Sequence, residues 1–338
     1  MGKSIQGSNP DMKSTSDFPE LVDPADGRSL RAVAGGLTAG GETYRVTNGI
    51  PRLVPGKTSY ADAFGDQWNR WRLTQLDSYT GVPISRMRLL RCLGDAVCNE
   101  LADASRHIDV LEAGCGAGRF TEVLLSLPAV RLTSIDLSSA VDANHQNFPQ
   151  DSRHRVVQCD ICRPPFPEGS FEVVVCLGVI QHTPNPERTI DALYRLVRPG
   201  GWLVIDHYAP SWRHWTKVTA LGLRPIVKRL PPAMRMRVCE VLTAAILPIH
   251  RAVRRLPLAQ QAVSRLSPLL TYYHAHPELA DRHQREWALL DTHDSLTDWY
   301  KHLRTPIQIR NILERLGACE VQVVAGGNGV EARCQKIV

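Results

Sequence analysis

The sequence predicts an α/β domain built around an open sheet, on three observations. A short apolar run at 108–111 ends at Glu112 and passes into glycines at 114, 116 and 118. Arg119, Phe120, Val123 and Leu124 then begin a helical pattern. Strand, Gly-rich turn and helix form the nucleotide-binding corner of such a sheet, where bare main chain lets a ligand lie against the backbone. The run FEVVVCL at 171–177 is apolar and β-branched, as a strand buried on both faces is. The chain closes with a helical pattern at 306–316, stopped by Gly317, and strand patterns at 319–324 and 330–335 joined by GGNG.

The remaining elements follow in order. RLTSIDL at 131–137 reads as a second strand, with Asp136 near its end. That acid lies about twenty residues past the glycines, where a carboxylate can bind both ribose hydroxyls. Residues 156–159 read as a third strand, followed by Asp160 and Ile161. After the fourth strand come the GVIQH stretch at 178–182, a Pro-rich turn, a helix at 187–197, RPGG at 198–201 and a fifth strand at 202–207. Seven strands result, the last two antiparallel.

The glycine spacing narrows the ligand. A dinucleotide fingerprint is G-x-G-x-x-G; counted from Gly114, its third glycine falls on Arg119. The pattern present is E-x-G-x-G-x-G, which resembles the S-adenosylmethionine loop of class I methyltransferases. LVRPGGWLVI resembles the same family's corner between a helix and the fifth strand. The resemblance implies a seven-stranded, Rossmann-like methyltransferase sheet with S-adenosylmethionine as cofactor. It implies cofactor contacts from Glu112, Gly114, Gly116, Gly118, Asp136, Leu137, Asp160, Ile161 and Leu177. Glu112 suits a ligand carrying a sulfonium and an ammonium and would repel a pyrophosphate.

Composition agrees with a globular protein: 338 residues, 43% apolar and 22% charged. There is no N-terminal apolar core and no apolar run near the length of a membrane span, so neither a secretory signal nor a spanning helix is indicated. The start MGKSIQ is like a myristoylation signal but has Gln6 where Ser or Thr is wanted. Nine scattered cysteines favour reduced thiols and a cytoplasmic chain, and the lone Cys159-x-x-Cys162 reads as incidental.

The chain divides into a polar tail at 1–19, a small β unit at 20–56, a helical cap at 57–104, the main domain at 105–208 and 305–338, and a helical insertion or lid at 209–304. In the β unit, GETYRVTNGIPRLVP contains two strand patterns around an Asn-Gly turn. The unit resembles the zinc-ribbon-like module that precedes some bacterial methyltransferases, but Asp23 and Asp26 stand where its first cysteine pair would be. Thiolate ligation is unavailable, so a metal-free remnant is expected. In the cap, Tyr60, Phe64, Trp68 and Trp71 fall on one helical face. That face either packs on the main domain or closes the pocket and supplies Trp71, Gln75 or Asp77. FGDQWNRW, TQLDS and REWALLDTHD resemble a bacterial group of class I methyltransferases linked to glycan or surface-polymer synthesis.

Residues 211–270 hold eleven basic side chains and one acid, Glu240, a local balance of +10 in a chain of net +6. Prolines divide this stretch into short helical patterns with apolar and arginine faces. Such helices can lie on an anionic membrane surface, bind another anionic acceptor, or form a lid with a solvated basic rim. A nucleic-acid partner is disfavoured, because no aromatic stacking platform accompanies the charge.

Methyl transfer to an alcohol needs a base. His182, in the loop after the fourth strand, is the first candidate, with Gln181 orienting substrate and His207 second. Tyr208, next to His207, is a second choice with it, and from the resemblance Asp291, His293, Asp294 and Tyr300 are acceptor-side candidates. No catalytic metal is expected. The function expected is O-methylation of a sugar, lipid-linked glycan or related small molecule. C- or N-methylation of a secondary metabolite, or a non-catalytic cofactor-binding subunit docked on a partner or membrane, remain open.

Overall fold

A computed structural model of the protein describes residues 18–54, 60–149, 151–211 and 218–338. The expected polar tail lies, up to residue 17, outside the described residues. So do the myristoylation-like start, Pro55 and the first basic residues of the insertion.

The chain begins with a meander, β1 (Arg31–Val33), β2 (Gly36–Ala39), β3 (Glu42–Thr47) and β4 (Ile50–Leu53). Its β3–β4 turn is Asn48-Gly49, with φ of 53° and 75°; a two-residue hairpin turn of this hand needs both residues there. Helices α1 (Asp62–Arg70), α2 (Asp77–Thr80) and α3 (Ile84–Ala102) form the cap. The main domain runs β5 (Ile108–Ala113), α4 (Thr121–Leu125), β6 (Val130–Asp136), α5 (Ala140–Asn147), β7 (His154–Cys159) and β8 (Phe171–Cys176). A 3-10 turn at Ile180–His182, α6 (Pro186–Leu196) and β9 (Val197–Tyr208) follow. The insertion supplies α7 (Val218–Val227), α8 (Pro232–Val253), α9 (Pro257–Leu266) and α10 (Asp281–Thr297), and the chain ends with α11 (Pro306–Arg315), β10 (Ala318–Gly326) and β11 (Gly329–Lys336).

The sheet has eleven strands, in the order β1-β2-β3-β4-β7-β6-β5-β8-β9-β11-β10. Seven are predicted from sequence; the difference is the N-terminal meander. Rather than standing apart as a 20–56 module, it joins the sheet through β4, which pairs parallel with β7 (Arg52 with Gln158, Leu53 with Cys159). Ile50 and Leu53 are each 1% exposed. Arg52 donates to Gln158 at 3.1 Å and forms an ion pair with Asp142 at 2.5 Å. An uncovered β7 would offer a row of unpaired backbone groups; the meander covers them. The would-be metal knuckle is held by Asp23, whose Oδ1 accepts from the Ala25 amide at 2.8 Å and the Tyr44 hydroxyl at 3.1 Å.

Six parallel strands, β4 to β9 in space, form the centre, and every residue of β5 and β8 is buried. One face packs Leu111, Val174 and Leu203 against Ile190, Leu193 and Leu313 from α6 and α11. The other packs Val110, Val173 and Val204 against Leu93, Val97 and Leu124 from α3 and α4. Helices on both faces explain the unbroken apolar runs.

In the insertion the prolines act less as breaks than the sequence predicts. Pro232 and Pro257 open α8 and α9, where a missing N–H costs nothing. Pro225 and Pro248 lie inside α7 and α8. Among the described residues no helix is long and apolar enough to cross a membrane, and all nine cysteines are free.

Candidate active site

A cavity of about 610 Å³ opens beyond the carboxyl ends of the parallel strands, the place where open α/β sheets bind ligands. Its volume is within the usual range for small-molecule sites, about 300–1,000 Å³. The β5–α4 loop contributes Gly114, Cys115 and Gly116, and the end of β6 contributes Asp136, Leu137 and Ser138. Ile161 and Leu177 add apolar walls. The cap and α10 close the opposite side with Trp68, Gln75, Asp291 and Asp294.

Asp136 is the best-organised acid of the loop side. Its Oδ1 accepts from the Ser138 amide (2.8 Å) and hydroxyl (2.7 Å), and its Oδ2 from the Gly116 amide (3.0 Å). Burial raises its pKa, and these hydrogen bonds oppose the rise. Each carboxylate oxygen has further acceptor capacity for a ribose hydroxyl. Gly116 has φ +50°, and a Cβ there would come 3.2 Å from the Trp68 ring.

Three of the expected cofactor residues sit elsewhere. Glu112 lies under the loop, not in the cavity lining. Its Oε2 accepts from Thr121 Oγ1 at 2.5 Å and Ser134 Oγ at 2.9 Å, and burial pushes its pKa up to about 7. The inward direction follows from strand alternation, because β5 continues through Glu112 to Ala113. Gly118 faces Phe148, whose ring would be 2.4 Å from an added Cβ, so this glycine serves packing. Asp160 turns back to accept the Cys162 amide at 2.9 Å, leaving Ile161 as the cavity residue.

On the acceptor side, His182 lines the cavity and is buried. Its Nδ1 lies 3.1 Å from the Tyr300 carbonyl oxygen and 3.3 Å from Asp298 Oδ2. Both neighbours are acceptors, so Nδ1 carries the proton of the neutral ring and Nε2 is left as the base. Burial alone would lower the His182 pKa; the hydrogen bond with Asp298 and the charges of Asp294 and Asp298 outweigh it and raise it. Asp298 is itself held by Arg224, whose Nε donates to Oδ1 at 2.8 Å. Phe64 and Tyr208 pack edge-on against the imidazole, each with ring centres 5.4 Å away.

The other acceptor candidates divide. Tyr208, Asp291 and Asp294 line the cavity, and burial raises all three pKa values, that of Asp291 to about 6. Gln75 bridges Arg119 (3.0 Å) to Asp291 (3.2 Å), and the Tyr272 hydroxyl donates to Asp291. Arg119, pushed down to about 10 by burial and by Arg88, also donates to Ser85 Oγ at 3.0 Å. Gln181 is wholly buried, its amide atoms have no protein partner, and it does not reach the cavity. His207 is likewise turned away, its Nδ1 3.0 Å from the Tyr208 carbonyl oxygen and its pKa lowered by burial. On alternating strand positions only one of His207 and Tyr208 can face the site. Trp71 packs on His293, ring centres 6.1 Å apart, while Trp68 lines the cavity. His293 Nδ1 donates to Gln67 Oε1 at 2.7 Å behind the lining, and Tyr300 contributes its carbonyl rather than its side chain. Asp77 caps the start of α3 through the Ser85 and Arg86 amides at 2.9 and 2.8 Å.

Asp298 escapes a motif-based reading because 115 residues separate it from His182 in an insertion with no strand landmarks. A usable signal is present: Asp291, Asp294 and Asp298 recur at helical spacing.

Comparison with known proteins joins this geometry to a chemistry. Residues 111–205 match the family described as "Methyltransferase domain". This part of the chain is similar to a methyltransferase domain. S-Adenosylmethionine is the cofactor of such domains, and the residues present fit it: a glycine loop against the cavity, a free-faced carboxylate at Asp136 and apolar walls at Leu137, Ile161 and Leu177. A malonyl-[acyl-carrier protein] O-methyltransferase from a Paenibacillus species is 37% identical over 30% of this chain and 39% of its own length. A ubiquinone biosynthesis O-methyltransferase from Pseudomonas putida is 35% identical over 36% of this chain and 53% of its own. The chain thus spans about half or less of the length of these relatives. The crystal structure of human N-acetylserotonin methyltransferase with its cofactor superposes with a TM-score of 0.43 at 15% identity, covering 84% of this chain and 61% of that one.

Proposed function

We propose that the protein is an S-adenosylmethionine-dependent O-methyltransferase acting on a hydroxyl of a sugar, a glycolipid or a related small molecule. One observation carries this reading: His182 has Nδ1 fixed on the Tyr300 carbonyl and Asp298, and it shares a cavity with Asp136 and the glycine loop. A base held in one tautomer is what an alcohol acceptor requires and an already activated carbon or nitrogen does not. The hydrogen-bonding groups of Gln75, Tyr208, Asp291 and Asp294 suit an acceptor with several hydroxyls.

The cofactor, when bound, supplies a methyl group made electrophilic by its sulfonium. The protein aligns the acceptor, and alignment is worth up to about 7–11 kcal/mol of a barrier. His182 Nε2 takes the hydroxyl proton as the oxygen attacks. The imidazolium so formed keeps its Nδ1 proton on Tyr300, and the Asp298 carboxylate stabilises the charge. Arg224 keeps that carboxylate in place. Trp68 and Trp287 wall the cavity and limit water.

The test combines titration calorimetry with transfer of labelled methyl to a panel of sugars and lipid-linked glycans. Asp136→Ala should abolish cofactor binding. His182→Ala should keep binding and lose turnover by about 10²–10⁴-fold. Absence of cofactor binding by the intact protein ends the proposal. Full turnover by His182→Ala reassigns the acceptor atom to carbon or nitrogen.

A further inference from the structure

The insertion carries its apolar residues on the wrong side for a simple lid. In α8 the inward face is Cys239, Thr243, Leu247 and His250. The outward face, at spacings of three and four, is Met234, Arg237, Val241, Ala245, Ile249 and Ala252, apolar except for one arginine. Helix α9 does the same with Leu258 (84% exposed), Ala262 and Leu266 (73% exposed). In α7 the exposed positions are Thr219, Leu221, Gly222, Pro225 and Ile226, with Arg229 exposed just past its end. A solvated helix face is ordinarily polar, and exposed apolar groups gathered on one surface mark an interaction site.

These helices form one packed group. Helices α7 and α8 both pack on α10, and α9 packs on α7 and α8; Thr219 Oγ1 donates to the Leu266 carbonyl at 2.7 Å, tying α7 to α9. The outward faces of α7 and α8 therefore lie on the side away from α10. Trp299, just past α10, is 40% exposed with Lys228 Nζ 5.3 Å from its ring. Arg229, Arg237 and Arg255 are exposed around the apolar positions, Arg237 with Glu240 3.7 Å away, whereas Arg251 turns to Asp281 of α10 at 2.5 Å. The stretch has a balance of +10, while the rest of the chain is net negative.

We propose that this outer face docks on an anionic lipid bilayer. Apolar side chains would enter the acyl boundary and the arginines would meet lipid phosphates, the division of labour of interfacial helices. Charge complementarity selects the bilayer: an apolar face meant for a second copy would oppose arginine to arginine across a twofold axis. The other side of α10 supplies Trp287, Leu290 and Asp291 to the cavity, so docking brings the acceptor wall within one helical layer of the membrane. The docking is independent of the proposed reaction.

The test is flotation of the full chain with vesicles of phosphatidylglycerol and phosphatidylcholine in equal parts, against phosphatidylcholine alone. Binding is expected only to the anionic vesicles, weakened when salt shortens the Debye length. Ile249→Glu with Leu258→Glu should weaken it by about tenfold or more with the melting temperature unchanged. Val324→Glu, exposed on β10, should leave it intact. No binding at low salt, equal binding to neutral vesicles, or binding indifferent to the double substitution overturns the proposal. So does a dimer, seen by sedimentation, that the double substitution dissociates.

Discussion

Replacing Glu112 by Gln should reshape the dependence of stability on pH. Glu112 is 3% exposed. Burial pushes its carboxyl from 4.5 up to about 7, with the Thr121 and Ser134 hydrogen bonds pulling the other way. Between these values the folded chain holds a proton that the unfolded chain has released. Stability therefore falls as pH rises through the window, and the loss is complete above about 7. At about 1.4 kcal/mol per unit the loss is roughly 3 kcal/mol. Glutamine stays neutral and removes it. Burial gives His293 the opposite dependence. Its pKa is pushed from 6.5 down to about 4, so the stability it governs is lost as pH falls through that interval. The two slopes oppose each other in the unaltered protein, so the informative quantity is the difference between the two proteins. Thermal melts of cofactor-free protein and Glu112→Gln from pH 5 to pH 8 should diverge by several degrees, with the variant gaining at high pH. A difference that stays constant across the range refutes the assignment of a protonated Glu112.

Further outcomes are expected. The pH–rate profile should rise along a limb above 6.5, because His182 must be neutral to act and its pKa is raised; Asp298→Asn should move that limb to lower pH and reduce kcat, with cofactor affinity unchanged. Gly118→Ala combines φ +100° with a Cβ 2.4 Å from Phe148 and should cost about 2 kcal/mol or more in urea unfolding. Arg52→Ala breaks the pairs to Asp142 and Gln158 and should raise hydrogen exchange at β4 while the β5 amides keep their protection.

What the sequence made legible was local. Strands β5 and β8 announce themselves because burial on both faces leaves short runs of mostly apolar residues, and the glycine loop and Asp136 follow at fixed offsets. The attachment of β4 to β7 was not legible. Four residues, Ile50–Leu53, carry no mark of which strand they will pair with, and the partner is about a hundred residues away. Side-chain direction was the other blind spot. Spacing put Glu112 and His207 at the site, but the continuation of β5 and β9 past them turned one under the loop and the other behind the wall. Asp298 was hidden for a third reason: its role exists only where α10 ends against the loop after β8.

The contact between β4 and β7 also sets a timetable. Residues 31–53 leave the ribosome before the strand that receives them, His154–Cys159, which emerges about a hundred residues later, and Arg52 waits 106 positions for Gln158. The opening segment must stay unspent, with Ile50 and Leu53 uncovered, until the centre of the sheet has assembled. The meander is therefore among the later parts of the fold to settle.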